Sequence, residues 1–187
     1  MHGVSGIVLA GGLGRRMGGV DKGLQPLHGK PMIEHVLARF APQVDEIVIN
    51  ANQNHDRYAA FGHRVVQDRV GGYAGPLAGL HAGLAAVSRP LAVTVPCDSP
   101  FLPADLVERL QRALGANDLA VAKTGDQAHP VFALVQRSVA ANLEAFLAGG
   151  GRKIDAWYAS LRVIEVSFDD EADAFRNINT LEELGRA

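Results

Sequence analysis

The chain has a single cysteine, Cys97, among its 187 residues. An internal disulfide and a thiolate metal cluster are therefore excluded, and a reducing compartment is the simplest setting for the protein. We expect Cys97 to be a small buried apolar residue. Long apolar runs are missing too, since none approaches the roughly 20 residues that a membrane-spanning helix needs.

An export signal is not predicted either. The neighbouring residues Arg15 and Arg16 follow the apolar segment at residues 7–9. Secretory and twin-arginine signals place their basic residues before the apolar segment. We therefore expect a cytoplasmic protein with no membrane partner.

Neither sign of charge dominates the composition. The formal net charge is -2 and the sequence pI is about 6.4. A general nucleic-acid binder carries a basic field, so no nucleic-acid partner is expected and any recognition of phosphate must be local. With 48% hydrophobic residues and no linker or repeat, the chain is predicted to form a single domain over residues 1–187.

Short apolar runs alternate with segments of helical periodicity. The predicted strands are Val4–Leu9, Glu46–Asn50, Arg64–Asp68, Leu91–Val95, Asp118–Ala122, Val131–Val135 and Arg162–Val166. The predicted helices are Pro31–Phe40, Leu77–Val87, Ala104–Leu114, Ala140–Leu147 before a triple-glycine stop, and a short final helix opened by the capping box at Thr180. This alternation predicts a three-layer α/β fold with a mostly parallel central sheet.

Chemically capable side chains follow the first four predicted strands. Lys22 lies in the loop after the first strand, Asn50 and Asp68 end the next two, and Asp98 follows the fourth. Parallel α/β sheets bind their ligands outside the carboxyl ends of the strands. The sequence therefore predicts that these four residues gather at one edge of the sheet.

The loop after the first strand is rich in glycine and positive charge. Six of the fifteen residues in Leu9–Gly23 are glycine. Gly12, Gly14 and Gly18 resemble a dinucleotide-binding turn, but the loop continues beyond them, and the context of Lys22 does not match a GxxxxGK[ST] loop. We predict a long loop whose amides and cations wrap a triphosphate. The alternative is a surface glycine loop with solvated charges.

Asp98 stands between two prolines in the segment Pro96–Pro100. The prolines restrict the backbone and hold one carboxylate at the end of a strand, which suits Mg²⁺ because that ion usually takes one or two carboxylates, phosphate oxygens and water. The alternative role for Asp98 is that of a turn or cap residue before the next helix.

Three further motifs leave alternatives open. The segment Gly75–Gly79 could let a planar base approach a helix N-terminus or could serve tight helix packing. The His129–Pro130 pair before a strand suits a turn better than a ligand or a base. Asn177 and Asn179 share a side if extended, and could cap the final helix or line a cleft.

Together these motifs resemble the molybdenum cofactor guanylyltransferases. The resemblance covers nearly the whole chain, in the family's order, and rests on LAGGLGRRMGGVDKG (Leu9–Gly23), Asn50, Asp68, GPLAG (Gly75–Gly79), PCDSP (Pro96–Pro100), HPVFAL (His129–Leu134) and NINTLEEL (Asn177–Leu184). One departure is Leu181, where the family usually has a helix-opening proline.

The resemblance implies a Rossmann-like fold and transfer of GMP from GTP to the terminal phosphate of molybdopterin, with Mg²⁺ as cofactor and release of pyrophosphate. It also implies transient contact with molybdopterin-delivering proteins or molybdoenzyme chaperones. The residues it assigns are Leu9, Ala10 and Gly11 to guanine; Lys22, Asn50 and Asp68 to GTP; Asp98 to nucleotide and metal; Arg16, with Lys22 and Asp98, to catalysis; and Asn177 and Asn179 to the pterin.

Three other functions compete with this one. The cytidylyltransferase that modifies the same cofactor usually has LAAG where this chain has Leu9–Gly12, and glycine leaves room for the larger purine. A nucleotide sensor without turnover would need neither Lys22 nor Asp98. A dehydrogenase is disfavoured because the glycine loop does not enter a helix.

Overall fold

The computed structural model describes residues 3–12, 21–71 and 75–178. The strands are β1 (Val4–Leu9), β2 (Pro26–Leu27), β3 (Lys30–Pro31), β4 (Glu46–Asn50), β5 (Arg64–Val66), β6 (Leu91–Pro96), β7 (Leu119–Thr124), β8 (Gln127–Gln136) and β9 (Val163–Ser167). The α-helices are α1 (Met32–Phe40), α2 (His55–Ala59), α3 (Pro76–Leu84), α4 (Leu106–Leu114), α5 (Ala140–Ala148) and α6 (Ile154–Tyr158).

Seven strands form the central sheet in the order β5-β4-β1-β6-β8-β7-β9. Its neighbours pair in parallel, except that β8 runs antiparallel to both β6 and β7. The prediction of a mostly parallel sheet is confirmed. Strands β2 and β3 form a separate small hairpin.

Helices cover both faces of the sheet, which confirms the three-layer α/β fold. Alternate residues of β1 point to opposite faces: Val8 joins the cluster that holds α1 and α4, and Ile7 joins the cluster that holds α3, α5 and α6. In α1 the buried residues Met32, Ile33, Val36, Leu37 and Phe40 recur at helical spacing. In the part of the chain that the structure describes, no helix has the length and apolar character to cross a bilayer.

Several predicted boundaries need correction. Strand β8 begins at Gln127, so His129 and Pro130 lie inside the strand and not before it. A tight turn joins β7 to β8, and the two strands pair up to the residues that flank this turn. A register irregularity beside Ala122 accommodates Pro130, which has no backbone N–H to donate. Strand β5 ends at Val66, so Asp68 lies two residues beyond it.

The helix boundaries differ by a few residues. Helix α1 begins at Met32 and not at Pro31, α3 ends at Leu84 and not at Val87, and α4 begins at Leu106 and not at Ala104. Helix α5 ends at Ala148, one residue later than the predicted Leu147 and directly before the glycine tract that was expected to stop it. The predicted final helix lies outside the described residues.

Candidate active site

Three neighbouring strands end at the same level of the sheet. Leu9 of β1 lies opposite Asn50 of β4 on one side and opposite Pro96 of β6 on the other. The chain adds strands on the β4 side first and then crosses to β6, which makes the gap between β1 and β6 the topological switch point. Sheets of this kind bind ligands at such a point.

An ion pair bridges that gap. The Lys22 ammonium lies 3.0 Å from Asp98 Oδ2, and the two side chains are 21% and 12% exposed. Lys22 opens a short 3₁₀ turn, Lys22–Leu24, and Asp98 stands in the turn after β6. The structure thus brings together two predicted site residues that are far apart in sequence.

Asn177 lies beside the same turn. The backbone N–H of Ile178 donates to the Asp98 carbonyl oxygen at 2.9 Å, and the Ser99 hydroxyl donates to Asn177 Oδ1. Ser99 is fully buried and holds the asparagine against the turn. These contacts place Asn177 beside the turn that carries Asp98, and its assignment to a cleft or to a helix cap stays a prediction. Arg16 and Asn179, the other residues assigned to catalysis and the pterin, lie outside the described residues.

On the other side of β1, two asparagines hold the Asp68 carboxylate. Asn50 Nδ2 donates to Asp68 Oδ1 at 2.9 Å, and Asn52 Nδ2 donates to Asp68 Oδ2 at 2.8 Å. The Asp68 N–H returns a 2.9 Å hydrogen bond to Asn52 Oδ1. We call Asn50, Asn52 and Asp68 the amide–carboxylate cluster.

Asn52 is a candidate site residue that was not predicted from the sequence. Its position two residues after Asn50, in the segment Asn50-Ala-Asn52, is the sequence feature that could have identified it, because i and i+2 residues of an extended segment share a side. Asn52 also donates to the Gly11 carbonyl oxygen at 3.3 Å and so connects the cluster to the glycine loop.

Glycines surround the Asn50 carboxamide. A Cβ at Gly11 would fall 2.9 Å from Asn50 Oδ1 and 2.9 Å from Asn52 Nδ2, which is closer than real contacts allow. A Cβ at Gly79 of α3 would overlap the same Asn50 oxygen and lie 2.8 Å from Leu9 Cδ2. A side chain at either position would have to displace the Asn50 carboxamide, and for Gly79 this close contact supports the helix-packing interpretation. Room for a guanine ring at Gly11 stays a prediction.

A second carboxylate near the loop, Asp21, was also missed. Its Oδ1 accepts a hydrogen bond from the Tyr58 hydroxyl, and its Oδ2 accepts one from Asn54 Nδ2 at 2.9 Å. Both partners follow β4, 33 and 37 residues from Asp21 in sequence. Burial, with Asp21 as a further contributor, raises the pKa of Tyr58 and keeps its hydroxyl protonated.

Cys97 and His129, also singled out from the sequence, are held by packing against neighbouring side chains. Cys97 is buried as expected, and burial raises the pKa of its thiol. His129 stacks on Phe175 with ring centroids 4.6 Å apart, and its Nε2 lies 2.7 Å from Thr124 Oγ1. Burial lowers the pKa of His129, so the imidazole stays neutral near pH 7.

Comparison with known proteins shows which family this chain belongs to. Residues 6–163 match the family model described as the MobA-like NTP transferase domain. A molybdenum cofactor guanylyltransferase from Cupriavidus necator is 55% identical over 188 residues, which cover 97% of this chain and 94% of that protein. Another, from Shewanella putrefaciens, is 50% identical over 182 residues and covers 96% and 93%.

The fold comparison agrees. The crystal structure of molybdopterin-guanine dinucleotide biosynthesis protein A from Archaeoglobus fulgidus superposes with a TM-score of 0.78 at 29% identity. The match covers 97% of this chain and 95% of that one. The family model and these relatives span most of the chain, and the chain therefore belongs to the MobA-like NTP transferase family.

Proposed function

We propose that the chain, acting as one nucleotidyltransferase domain over residues 1–187, is a molybdenum cofactor guanylyltransferase. It transfers GMP from GTP to the terminal phosphate of molybdopterin, releases pyrophosphate and forms molybdopterin guanine dinucleotide. The observation that carries this proposal is the Lys22–Asp98 ion pair at the switch point of the sheet. The relatives at 55% and 50% identity support the choice of nucleotide and acceptor.

The reaction requires two anions to be aligned. An oxygen of the pterin phosphate attacks the α-phosphorus of GTP, the bond from that phosphorus to the bridging oxygen breaks, and pyrophosphate leaves with the bond's electrons. Because the acceptor phosphate is the nucleophile, the protein has only to orient both substrates and stabilise the developing charge, without a nucleophile or general base of its own. Lys22 and Arg16 supply positive charge to the phosphates.

Lys22 is suited to this task by its present partner. Its ammonium already contacts an anion, the Asp98 carboxylate, and lies in a partly exposed position where a phosphate can reach it. On nucleotide binding Lys22 exchanges this carboxylate for phosphate oxygens, which releases Asp98 for a metal. The exchange keeps the ammonium paired throughout and avoids leaving a charge desolvated and alone.

A divalent metal at Asp98, which we propose to be Mg²⁺, fits the residues present. Within residues 3–12, 21–71 and 75–178, no group of three or more His, Cys, Asp or Glu side chains could hold a metal. A lone carboxylate suits Mg²⁺, whose remaining ligands are phosphate oxygens and water, better than it suits a metal that needs an all-protein cage. When bound, Mg²⁺ withdraws charge from the triphosphate and orients it.

The base and ribose of GTP occupy the β4 side of β1. Leu9, Ala10 and Gly11 border the guanine, and Asn50 and Asp68 complete the nucleotide site. This assignment is supported by the amide–carboxylate cluster, because a carboxylate fixed by amide donors can accept further hydrogen bonds from N–H or O–H groups of a ligand.

The acceptor, molybdopterin, binds beside Asp98 where residues 177–178 lie, and not on the β4 side of β1 that holds the base and ribose. The contact between Ser99 and Asn177 supports a pterin site that includes Asn177 and Asn179. We propose that the protein works in the cytoplasm and has transient contact with molybdopterin-delivering proteins or molybdoenzyme chaperones.

An isotope experiment tests the proposed reaction. The protein is incubated with molybdopterin, Mg²⁺ and GTP labelled at either the α- or the γ-phosphate. We expect α-label in the pterin dinucleotide and γ-label in pyrophosphate, because the bond between the α- and β-phosphates is the one broken. Label that stays in GTP, or γ-label released as inorganic phosphate, would contradict the proposal.

A further inference from the structure

Asp21 precedes Lys22 in sequence, and its side chain is hydrogen-bonded to other parts of the protein. Each carboxylate oxygen accepts a hydrogen bond, one from the Tyr58 hydroxyl and one from Asn54 Nδ2. The Asp21 carbonyl oxygen accepts two more, from the Leu24 N–H at 3.3 Å and from Gln25 Nε2 at 3.1 Å. Asp21 thus attaches the C-terminal end of the glycine loop, Leu9–Gly23, to α2 and to the residue before it.

Tyr58 is a rigid donor for this attachment. It lies on α2 and is fully buried, so its ring is held by packing. Burial also raises its pKa, so its hydroxyl stays protonated near neutral pH and can donate a hydrogen bond. Asn54, the residue before α2, adopts the left-handed backbone conformation with φ of 54°, which asparagine tolerates better than most residues.

The backbone is also closely packed on the C-terminal side of Lys22, at Gly23. A Cβ at Gly23 would fall 2.6 Å from the Tyr58 hydroxyl oxygen and 3.2 Å from both the Cβ and the Sγ of Cys97. The backbone at Gly23 therefore lies directly against Tyr58 and against the residue that precedes Asp98. Tyr58 contacts both neighbours of Lys22, and the Lys22 side chain extends from between them to Asp98.

We propose that Tyr58 is a positioning residue that acts through Lys22, with Asn54 as its weaker companion. By holding the Asp21 carboxylate, the two donors fix the backbone from which the Lys22 ammonium reaches the phosphates of GTP. They also direct the negative charge of Asp21 toward α2, away from an anionic substrate. A lysine has four side-chain torsions, so a fixed backbone origin reduces the entropy lost when its ammonium binds phosphate.

The test is a double-mutant cycle on GTP affinity. The four proteins are the unmodified chain, Tyr58→Phe, Lys22→Met and the double variant, each titrated with GTP and Mg²⁺ by calorimetry. Tyr58→Phe keeps the buried ring and removes only the hydroxyl. Tyr158→Phe is the matched control, because the Tyr158 hydroxyl donates to the Pro130 carbonyl oxygen at 2.6 Å in a different part of the fold.

If Tyr58 acts through Lys22, Tyr58→Phe weakens GTP binding about tenfold in the unmodified chain, the order expected for a lost hydrogen bond to a charged group. In the Lys22→Met background the same change has less than about a twofold effect, since coupled residues are not additive. Tyr158→Phe leaves GTP affinity unchanged. An equal loss in both backgrounds, or no loss in the unmodified chain, overturns the inference.

Asn54→Gly supplies the second arm of the test and decides the matter if Tyr58→Phe does not fold. Glycine accepts the positive φ and removes the amide, so we expect about a threefold loss of GTP affinity, again only when Lys22 is present. Equal losses with and without Lys22 would count against the inference. The inference rests on the proposed function, which fails separately if the unmodified chain does not bind GTP or if Lys22→Met leaves its affinity unchanged.

Discussion

Carboxylates are held in opposite ways at the amino-terminal edge of the central sheet, where the parallel strands begin, and at its carboxyl-terminal edge, where they end. At the amino-terminal edge, Glu46 Oε1 accepts from the Ser5 hydroxyl at 2.6 Å and from the Ser88 N–H and hydroxyl at 2.7 and 2.8 Å. At the carboxyl-terminal edge, Asp98 is paired with a lysine, and Asp68 is held by asparagine amides. The first arrangement uses short side chains and a backbone amide that the fold itself fixes.

The carboxylate at the amino-terminal edge is arranged for stability of the fold, and those at the carboxyl-terminal edge are arranged for binding and chemistry. Groups fixed by the backbone cannot turn toward a ligand without unfolding part of the chain, whereas the ammonium of Lys22 can exchange one anion for another. We therefore expect substitutions at the amino-terminal edge to change the free energy of unfolding, and substitutions at the carboxyl-terminal edge to change activity.

The largest effect is expected at Asp98. Asp98→Ala should lower the rate of guanylyl transfer by at least about 10²–10³-fold, the order seen when a group that stabilises transition-state charge is removed. Its melting temperature should change little, because the partly exposed Lys22 can be solvated and the Asp98 backbone carbonyl still accepts from Ile178.

Turnover and thermal unfolding of Asp98→Ala and Asp98→Asn should be measured side by side with Mg²⁺. Asparagine keeps the shape of the side chain and removes its charge, so both variants should be inactive and folded. Normal turnover by either one would remove Asp98 from the mechanism.

A smaller effect is expected in the amide–carboxylate cluster. Asn52→Ala should weaken GTP binding about fivefold, the equivalent of roughly 1 kcal/mol for a lost hydrogen bond, because Asp68 loses one of its two amide donors. Asn117→Ala is the matched control, since the Asn117 amide donates to the Leu114 carbonyl oxygen at the end of α4. Equal GTP affinities for the two variants in calorimetry would mean that Asn52 does not support the nucleotide site.

The smallest effect on activity is expected at the amino-terminal edge. Burial opposes ionisation of Glu46, but the hydrogen bonds from Ser5 and Ser88 outweigh it and lower its pKa from 4.5 to about 2. A lowered pKa stabilises the fold fully above pH 4.5, and this stabilisation is lost as the pH falls toward 2.

Glu46→Gln should therefore lower the free energy of unfolding at pH 6 by about 1 kcal/mol and by clearly less at pH 3, with unchanged turnover at pH 7. Urea unfolding at the two pH values measures the difference. A deficit that is constant with pH would show that the charge of Glu46 is not responsible.

Local patterns predict much of this fold, and contacts between distant segments explain what they miss. Nearly continuous apolar runs such as Leu91–Val95, interrupted only by Thr94, identify buried strands because both faces of such a strand lie against helix layers. Strands β2 and β3 have two residues each and α2 and α6 have five, too few to show a clear period, so the sequence does not predict them.

The site follows the same rule. Lys22, Asn50, Asp68 and Asp98 could be placed at one edge because the carboxyl ends of parallel strands coincide. Asn52 and Tyr58 carry no motif of their own, and their roles depend on which side chain another segment presents to them. Tertiary packing supplies that information, and only the structure contains it.

The central claim is transfer of a guanylyl group, and nucleotide selectivity tests it most directly. Pyrophosphate release should be measured with molybdopterin, Mg²⁺ and GTP, CTP or ATP in turn. We predict strong preference for GTP, with little pyrophosphate from CTP or ATP and none without the acceptor. Equal use of CTP would contradict the guanine assignment and with it the proposed function.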